Sequence, residues 1–535
     1  MDNWWKEAVI YQIYPRSFLD TSGNGVGDLN GITEKLKYIS DLGVDAIWLS
    51  PFFTSPMRDM GYDVSDYTSV DPLFGEMHDF ERLISIAHEN KLKVIIDQVL
   101  SHSSDQLEAF KESKKSKNTD KSDWYVWADA QSDGSPPNNW LSVFGGSAWE
   151  WNSEREQYYF HNFLSSQPDF NFHNEEVQNY LLDIVKFWLD KGVDGFRLDT
   201  VNYYFHDKKL RDNPKSPKKF TEPPVNPYYL QNQLHAINQD ENLEFLSKLR
   251  SLLNRYPEKT SVGEVGDSHN AIQIMKKYTS ESKLHMAYSF ELLGNEFSSV
   301  HIKNTLEKFF AGKMNNSWPC WSFSNHDVKR HLSRWDKTES DEFAKLSCAL
   351  LLSLKGTPCL YQGEELGQVE TDLEFKELTD PPGIRFWPKS KGRDGCRTPM
   401  TWNHKLNHAG FTKGKPWLPV KEKQKNNSVS LQQKSLESVL NFYKEFIAYR
   451  KINKNLSKGD QIFIHEKDNI LIFTRNFKNS KTSCVFNLNN KRCIYKNIFE
   501  DMDIKISNNA EIEKNQIILN NYGFMILEDK KIKES

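Results

Sequence analysis

Cysteine is scarce in this chain, six in 535 residues, and no two of them form a CxxC pair. That scarcity argues against a disulfide framework and for buried thiols in a reducing compartment. No apolar run reaches the roughly 20 residues that a membrane-spanning helix needs. The opening MDNWWKEAVIYQIYP has no basic start followed by an apolar run, so neither a signal peptide nor a membrane anchor is expected, and the chain reads as cytoplasmic. Neither sign of charge dominates, with 69 Lys and Arg against 73 Asp and Glu for a net charge of −4. Such a balance points away from nucleic acid and from anionic surfaces as partners. Aromatic residues, by contrast, are plentiful at 13%, including 15 Trp and 33 Phe. They can fill a large core and also line a cleft with flat faces of the kind a carbohydrate site needs.

Short apolar segments recur along the chain, each ending in polar or charged residues: AVIYQIYP, AIWLSP, KVIIDQV, GFRLDT, TSVGEV, HMAYSFEL, WPCWSFSNHD and PCLYQGEE. Continuous apolar runs of this length fit strands buried on both faces, as in a parallel sheet. Helical patterns lie between most of them. NEEVQNYLLDIVKFWLDKG sets Val177, Leu181, Ile184, Val185 and Trp188 on one face, with Asn174 as N-cap and Gly192 as stop. DFERLISIAHENKL and DEFAKLSCALLLSLKG read the same way. The alternation predicts an α/β fold, a (β/α)8 TIM barrel, whose function belongs at the C-terminal ends of the strands. Those ends carry Asp97, Asp199, Glu264, Asp327 and Glu364.

The expected organisation is a barrel in two parts, 1–102 and 168–455, interrupted by an inserted subdomain at 103–167 and followed by a C-terminal antiparallel β domain at 456–535. The insertion contains the Lys-rich run KESKKSKNTDKSD, which reads as a solvated surface. The connection from Thr200 to about Asp240 is also too long for a simple loop, and its position makes it a wall of the site. In GFRLDT, Arg197 and Asp199 stand two apart and so face one side of a strand, leaving Phe196 and Leu198 to the other. Asp199, Glu264 and Asp327 would converge at the barrel mouth. Glycoside hydrolysis requires two carboxyls there, one to protonate the leaving oxygen and one to attack the anomeric carbon or activate water.

DQVLSH (97–102), GFRLDT (195–200), GEV (263–265) and FSNHD (323–327) resemble, in order and spacing, the four conserved regions of glycoside hydrolase family 13. QPDFN (167–171) resembles its additional region in the oligo-1,6-glucosidase and α-glucosidase branch. The resemblance implies a retaining enzyme with Asp199 as nucleophile, Glu264 as general acid/base and Asp327 as the carboxylate that grips sugar hydroxyls. Arg197 is expected to keep the nucleophile's pKa low, and Glu264 to have a raised one. The resemblance also makes Asp59, in MRDMGYDVSDY, a ligand of the terminal sugar, and Tyr62 a stacking platform. Arg397, in GCRTPM, is then the partner of Asp59, closing the pocket for exo action. His102 and His326 donate to sugar hydroxyls. Phe163, like Phe144 and Trp149, is either an apolar wall or part of the inserted unit's own core.

In DTSGNGVGD, oxygen-bearing residues alternate at Asp20, Ser22, Asn24 and Asp28, a spacing like the start of a calcium loop. The alternative is a Gly-rich turn held by Asx bonds. The family resemblance adds the Val26 carbonyl and implies a structural Ca2+ or Mg2+, with no organic cofactor. Ser101 stands where many α-amylases have an Asn ligand, so a second calcium site is not expected. Thr200, just after the nucleophile, points within this branch to α-1,4 rather than α-1,6 bonds.

The expectation is therefore an exo-acting α-glucosidase on maltose, short maltooligosaccharides or α-glucosides, with some transglucosylation. It would act as a monomer or homodimer on a small carbohydrate. The alternatives are an oligo-1,6-glucosidase or a sucrose- or trehalose-acting relative. A non-catalytic transporter-type scaffold is disfavoured, because all three carboxylates are kept and no membrane helix is visible.

Overall fold

A computed structural model describes residues 3–312, 317–499 and 502–530. Residues 1–2 and 531–535, which the sequence reading assigned to the barrel and to the C-terminal domain, lie outside the described residues. The eight apolar segments form the eight strands of one parallel sheet. They are β1 (Ile10–Ile13), β2 (Ala46–Leu49), β3 (Lys93–Gln98), β4 (Gly195–Leu198), β5 (Thr260–Val265), β6 (Met286–Ser289), β7 (Cys320–Trp321) and β8 (Thr357–Tyr361). Neighbours in the sheet are neighbours in sequence, except that β8 pairs with β1. A parallel bridge between Ala287 and Pro319 joins β6 to the segment entering β7 and closes the ring.

Each strand is followed by a helix that packs outside it: α1 (Leu29–Leu42), α2 (Met77–Glu89), α3 (Glu175–Asp190), α4 (Asn242–Leu253), α5 (Ala271–Thr279), α6 (Ser299–Phe310), α7 (Asp341–Ser353) and α8 (Val439–Ile452). The apolar stripe foreseen on α3 is buried, the Asn174 side chain accepts from Glu176 N at 2.9 Å, and Gly192 follows in the left-handed region. This is the arrangement the amphipathic pattern dictates: the stripe turns inward and the capping residues end it.

The alternation within β4 sorts its side chains. Phe196 and Leu198 are fully buried in the layer between barrel and helices, while Arg197 points into the barrel. Register places Arg197 level with Asp97 on β3 and with Val262 on β5. Gly195 permits that pairing, since a Cβ there would lie 2.6 Å from the Thr260 carbonyl oxygen.

Between β3 and α3 the chain makes a small antiparallel sheet of Trp127–Ala128, Gln157–Phe160 and Trp149–Asn152. Trp149 packs there against Trp140 and Phe160, in that unit's own core. The segment between β4 and α4 contains two 3-10 turns, Val201–Tyr203 and Pro227–Leu230, and an isolated antiparallel bridge between Lys215 and Gln231. After α8 come β9 (Asp460–His465), β10 (Ile470–Phe477), β11 (Ser480–Asn487), β12 (Cys493–Lys496), β13 (Met502–Glu513) and β14 (Gln516–Asp529), an antiparallel sheet. It is fastened to the barrel by Arg475, which donates to the Ser353 carbonyl, and by the Tyr522 hydroxyl, which donates to Asp336. Among the described residues no helix is long and apolar enough to cross a membrane.

Candidate active site

A cavity of about 680 Å3 opens at the C-terminal ends of the strands. Asp59, Tyr62, His102, Phe163, Asp199, Glu264 and Asp327 all line it. Arg197, His326 and Arg397 do not; they are buried behind it.

Arg197 is the floor. Its Nη1 donates to Asp97 Oδ1 at 2.8 Å and to Asp199 Oδ1 at 2.7 Å, and its Nη2 donates to Glu264 Oε2. Tyr288 accepts from Nε and Nη2 at 3.2 and 2.9 Å. Three carboxylates therefore share one guanidinium in a dry setting, and this changes one expectation. Asp199 is not held low. Burial, together with Asp97 and Asp327, outweighs Arg197 and pushes Asp199 up to about 7. Glu264 is pushed up to about 8, first by burial and then by Asp199 and Asp327. Asp97 rises to about 6, mainly through burial. Burial and mutual repulsion thus raise all three carboxyls on Arg197, and a proton shared among them is within reach of Glu264, the group that has to give one.

Asp327 is the opposite case. His326, Arg393 and Arg397 overcome its burial and hold it well below the usual carboxylate range. His326 is fully buried, stacked on Tyr62 with ring centroids 5.4 Å apart, and its Nε2 lies 2.5 Å from the Tyr62 hydroxyl. It backs the platform, and its Nε2 also lies 3.3 Å from Asp327 Oδ2 at the cavity wall. His102 does face the cavity, and burial lowers its pKa to about 4, which makes it a neutral ring. Phe163 and Phe144 are both cavity walls, packed on each other at 5.4 Å.

The ion pair at the closed end also differs from expectation. Asp59 pairs with Arg393, whose Nη2 donates to Asp59 Oδ1 at 2.7 Å, and not with Arg397. Arg397 is fully buried and instead donates to the His326 carbonyl at 2.7 Å and to Asp327 Oδ1 at 3.0 Å. The short 3-10 turn Asp394–Cys396 separates the two arginines and sends only the first to the cavity. Arg393 also donates to Asp380 at 2.7 Å and to Asp327 at 3.2 Å, and Phe144 lies under its guanidinium.

Sequence reasoning missed Arg393, Tyr288 and Gln167, whose Nε2 donates to Asp59 Oδ2 at 3.1 Å. Gln167 stood inside a quoted motif, and Arg393 four positions before a quoted arginine; Tyr288 carried no signal beyond lying on a strand. The outer half of the cavity is made by the long β4–α4 connection, with Val225, Tyr228 and Tyr229 among its walls.

The loop after β1 behaves as the Asx-bonded turn. Asp20 accepts from Ser22 Oγ, Gly23 N, Gly25 N and Thr412 Oγ1, and Asn24 Oδ1 accepts from Val26 N. Asp28 accepts from Thr21 and Ser22 and caps α1 through Gly31 N at 2.7 Å. Burial raises Asp20, but the bonds from Thr412, Gly25, Gly23 and Ser22 win and lower it. Gly25 sits at φ 92°, where a Cβ would meet the Lys415 carbonyl oxygen at 1.9 Å. Among the described residues no group of three or more His, Cys, Asp or Glu side chains is placed to hold a metal ion.

Residues 12–459 match the profile of the alpha amylase catalytic domain. The chain is 52% identical over 497 residues to a probable alpha-glucosidase of Rhizobium meliloti (strain 1021), covering 91% of this chain and 90% of that one. It is 37% identical over 531 residues to an oligo-1,6-glucosidase of Heyndrickxia coagulans, covering 91% and 92%. Among solved structures it is similar to the alpha-glucosyl transfer enzyme XgtA, with a TM-score of 0.96 and 48% identity over 99% of this chain and 100% of that one.

Proposed function

The chain belongs to the α-amylase family, glycoside hydrolase family 13, and from that premise we propose that it is a retaining, exo-acting α-glucosidase that releases terminal α-1,4-linked glucose from maltose and short maltooligosaccharides. The observation that carries this reading is the grip of one guanidinium, Arg197, on both Asp199 and Glu264. Two carboxyls held side by side on one planar fork suit the separation of about 5–5.5 Å of a retaining pair better than the roughly 6.5–9.5 Å of an inverting one.

In the proposed cycle Glu264 gives its proton to the leaving oxygen while Asp199 bonds the anomeric carbon. Glu264, now a carboxylate, then takes a proton from the water that displaces Asp199. Asp327, kept ionised by Arg393 and Arg397, accepts from hydroxyls of the bound glucose. The Asp59–Arg393 pair supports exo action, because it blocks extension of the chain past the terminal sugar. A sugar acceptor in place of water gives transglucosylation by the same step.

The units proposed for this work are the barrel at 1–102 and 168–455, the inserted subdomain at 103–167 and the β domain at 456–535. All six cysteines are free thiols, which supports the cytoplasmic reading. The β1 loop offers five hard oxygens, from Asp20, Ser22, Asn24, Asp28 and the Val26 carbonyl, a donor set that suits Ca2+ or Mg2+ in kind. Because its own N–H and hydroxyl groups already satisfy the carboxylates, such an ion would brace the loop without being needed to fold it, and no step of the reaction runs through it.

The test is to assay maltose, isomaltose, sucrose and trehalose side by side with the wild type and Asp199→Asn. A wild type preferring maltose and an inactive, folded variant are expected. A strong preference for isomaltose makes the enzyme an oligo-1,6-glucosidase, and wild-type turnover by the variant sinks the assignment.

A further inference from the structure

The carboxyl of Asp199 is held unevenly. Oδ1 takes the 2.7 Å bond from Arg197, whereas Oδ2 faces only the Thr200 hydroxyl, at 3.3 Å. Oδ2 is therefore the oxygen left to bond the anomeric carbon. A 3.3 Å contact is long for O–H···O, and contacts of this kind tighten when a site is loaded.

The Thr200 hydroxyl has a second neighbour, Ser101 Oγ at 2.9 Å, and Ser101 in turn lies 2.8 Å from His102 Nδ1. His102 Nε2 meets the Tyr62 carbonyl at 3.0 Å, and a carbonyl only accepts, so Nε2 carries the ring proton and Nδ1 accepts from Ser101. Gln167 Nε2 also lies 3.2 Å from His102 Nε2, a longer contact than the 3.0 Å one to the Tyr62 carbonyl, and it donates to Asp59 Oδ2 at 3.1 Å. Ser101 Oγ is thus free to accept, and the single Thr200 proton has two acceptors, Ser101 and Asp199. The backbone supports this choice. Thr200 sits at φ 40°, ψ 46°, the left-handed region that β-branched residues avoid. That conformation directs its N–H to Glu264 Oε2 at 3.1 Å and its hydroxyl to Asp199.

We propose that Thr200, braced by Ser101 and His102, is a positioning residue for the second half-reaction. Its hydroxyl points to Ser101 while Asp199 Oδ2 is bonded to glucose, and turns to Oδ2 as that bond breaks. In this step the water oxygen bonds the anomeric carbon and its proton goes to Glu264. The bond from that carbon to Oδ2 breaks with its electron pair passing to Asp199. Thr200 loses no proton; it donates a hydrogen bond to the charge developing on Oδ2. A donor to the ionised nucleophile favours its departure more than its attack, so the effect falls on deglucosylation.

The proposal rests on Asp199 being the nucleophile, which the Asp199→Asn assay decides separately. Thr200→Val keeps the branched shape and removes the hydroxyl. Rapid mixing with p-nitrophenyl α-glucoside is expected to give a stoichiometric nitrophenolate burst, with the glucosyl-enzyme visible by intact mass. The expected kcat is about tenfold lower, with kcat/KM changed by less than about threefold. Thr200→Ser, which restores the hydroxyl, should abolish the burst again. Since the Thr200 N–H also holds Glu264, a merely structural role would lower kcat and kcat/KM together without a burst, and that result overturns the proposal. If the Val variant does not fold, Thr200→Ala, which also removes the hydroxyl, decides alone: no burst there is also a refutation.

Discussion

Replacing Asp97 by Asn removes one negative charge from the group that shares Arg197 and leaves the side chain's size unchanged. Arg197 Nη1 spans Asp97 Oδ1 and Asp199 Oδ1 with bonds of 2.8 and 2.7 Å, so these two oxygens are at most 5.5 Å apart. At an effective dielectric of about 20, a unit charge at that distance is worth about 3 kcal/mol. That corresponds to about two pKa units. Loss of a nearby negative charge makes the remaining carboxyls easier to ionise, so both pKa values fall. The acid limb of the pH–kcat/KM profile, to which Asp199 contributes near 7, should move toward lower pH by about one to two units, and the alkaline limb, near 8, should move the same way by less. The assay is kcat/KM against pH for a chromogenic α-glucoside, wild type beside variant, with the melting temperature as a check on folding. Limbs that stay in place while the rate falls uniformly would mean that Asp97 acts through geometry alone, and the charge-sharing argument would fail.

Arg393→Ala leaves Asp59 and Asp380 without a buried cationic partner, a loss of about 3–5 kcal/mol; maltose kcat/KM should drop about 100-fold or more, and the melting temperature should fall with it. The cavity presents Asp59, Asp199, Glu264, Asp267 and Asp327 against Arg393 alone, so a phosphorylated disaccharide should be turned over at least about tenfold less well than its neutral counterpart, as measured by glucose release. Chelation followed by Ca2+ at about 100 times its Kd should raise the melting temperature by a few degrees at most, because binding then adds about 2.7 kcal/mol to a large domain. Rates at room temperature should not change, and no thermal response to Ca2+ or Mg2+ would remove the metal from the β1 loop.

The barrel was legible because each strand is a short, mostly apolar run that ends in polar or charged residues, and that pattern needs no tertiary knowledge. Asp199, Glu264 and Asp327 stood at such stops, so their convergence followed from the topology. Arg393 and Arg397 were not separable in the same way. They lie four apart in a connection without periodicity, and only the turn at Asp394–Cys396 decides which one reaches Asp59. The pKa of Asp199 was misjudged for a related reason: pairing with Arg197 is visible within one strand, but Asp97 and Glu264, which compete for the same guanidinium, come from two others. Val225, Tyr228 and Tyr229 could be foreseen only as a long loop near the mouth.

Arg393 and Arg397 are carried by the connection between β8 and α8, the last of the barrel's strand-to-helix connections to be synthesised. Until it docks, Asp59, Asp97, Asp199, Glu264 and Asp327 are drawn together with Arg197 as their only arginine. A chain that lacks this connection keeps every acid needed for bond cleavage and the Arg197 grip on three of them, but neither arginine that donates to Asp327.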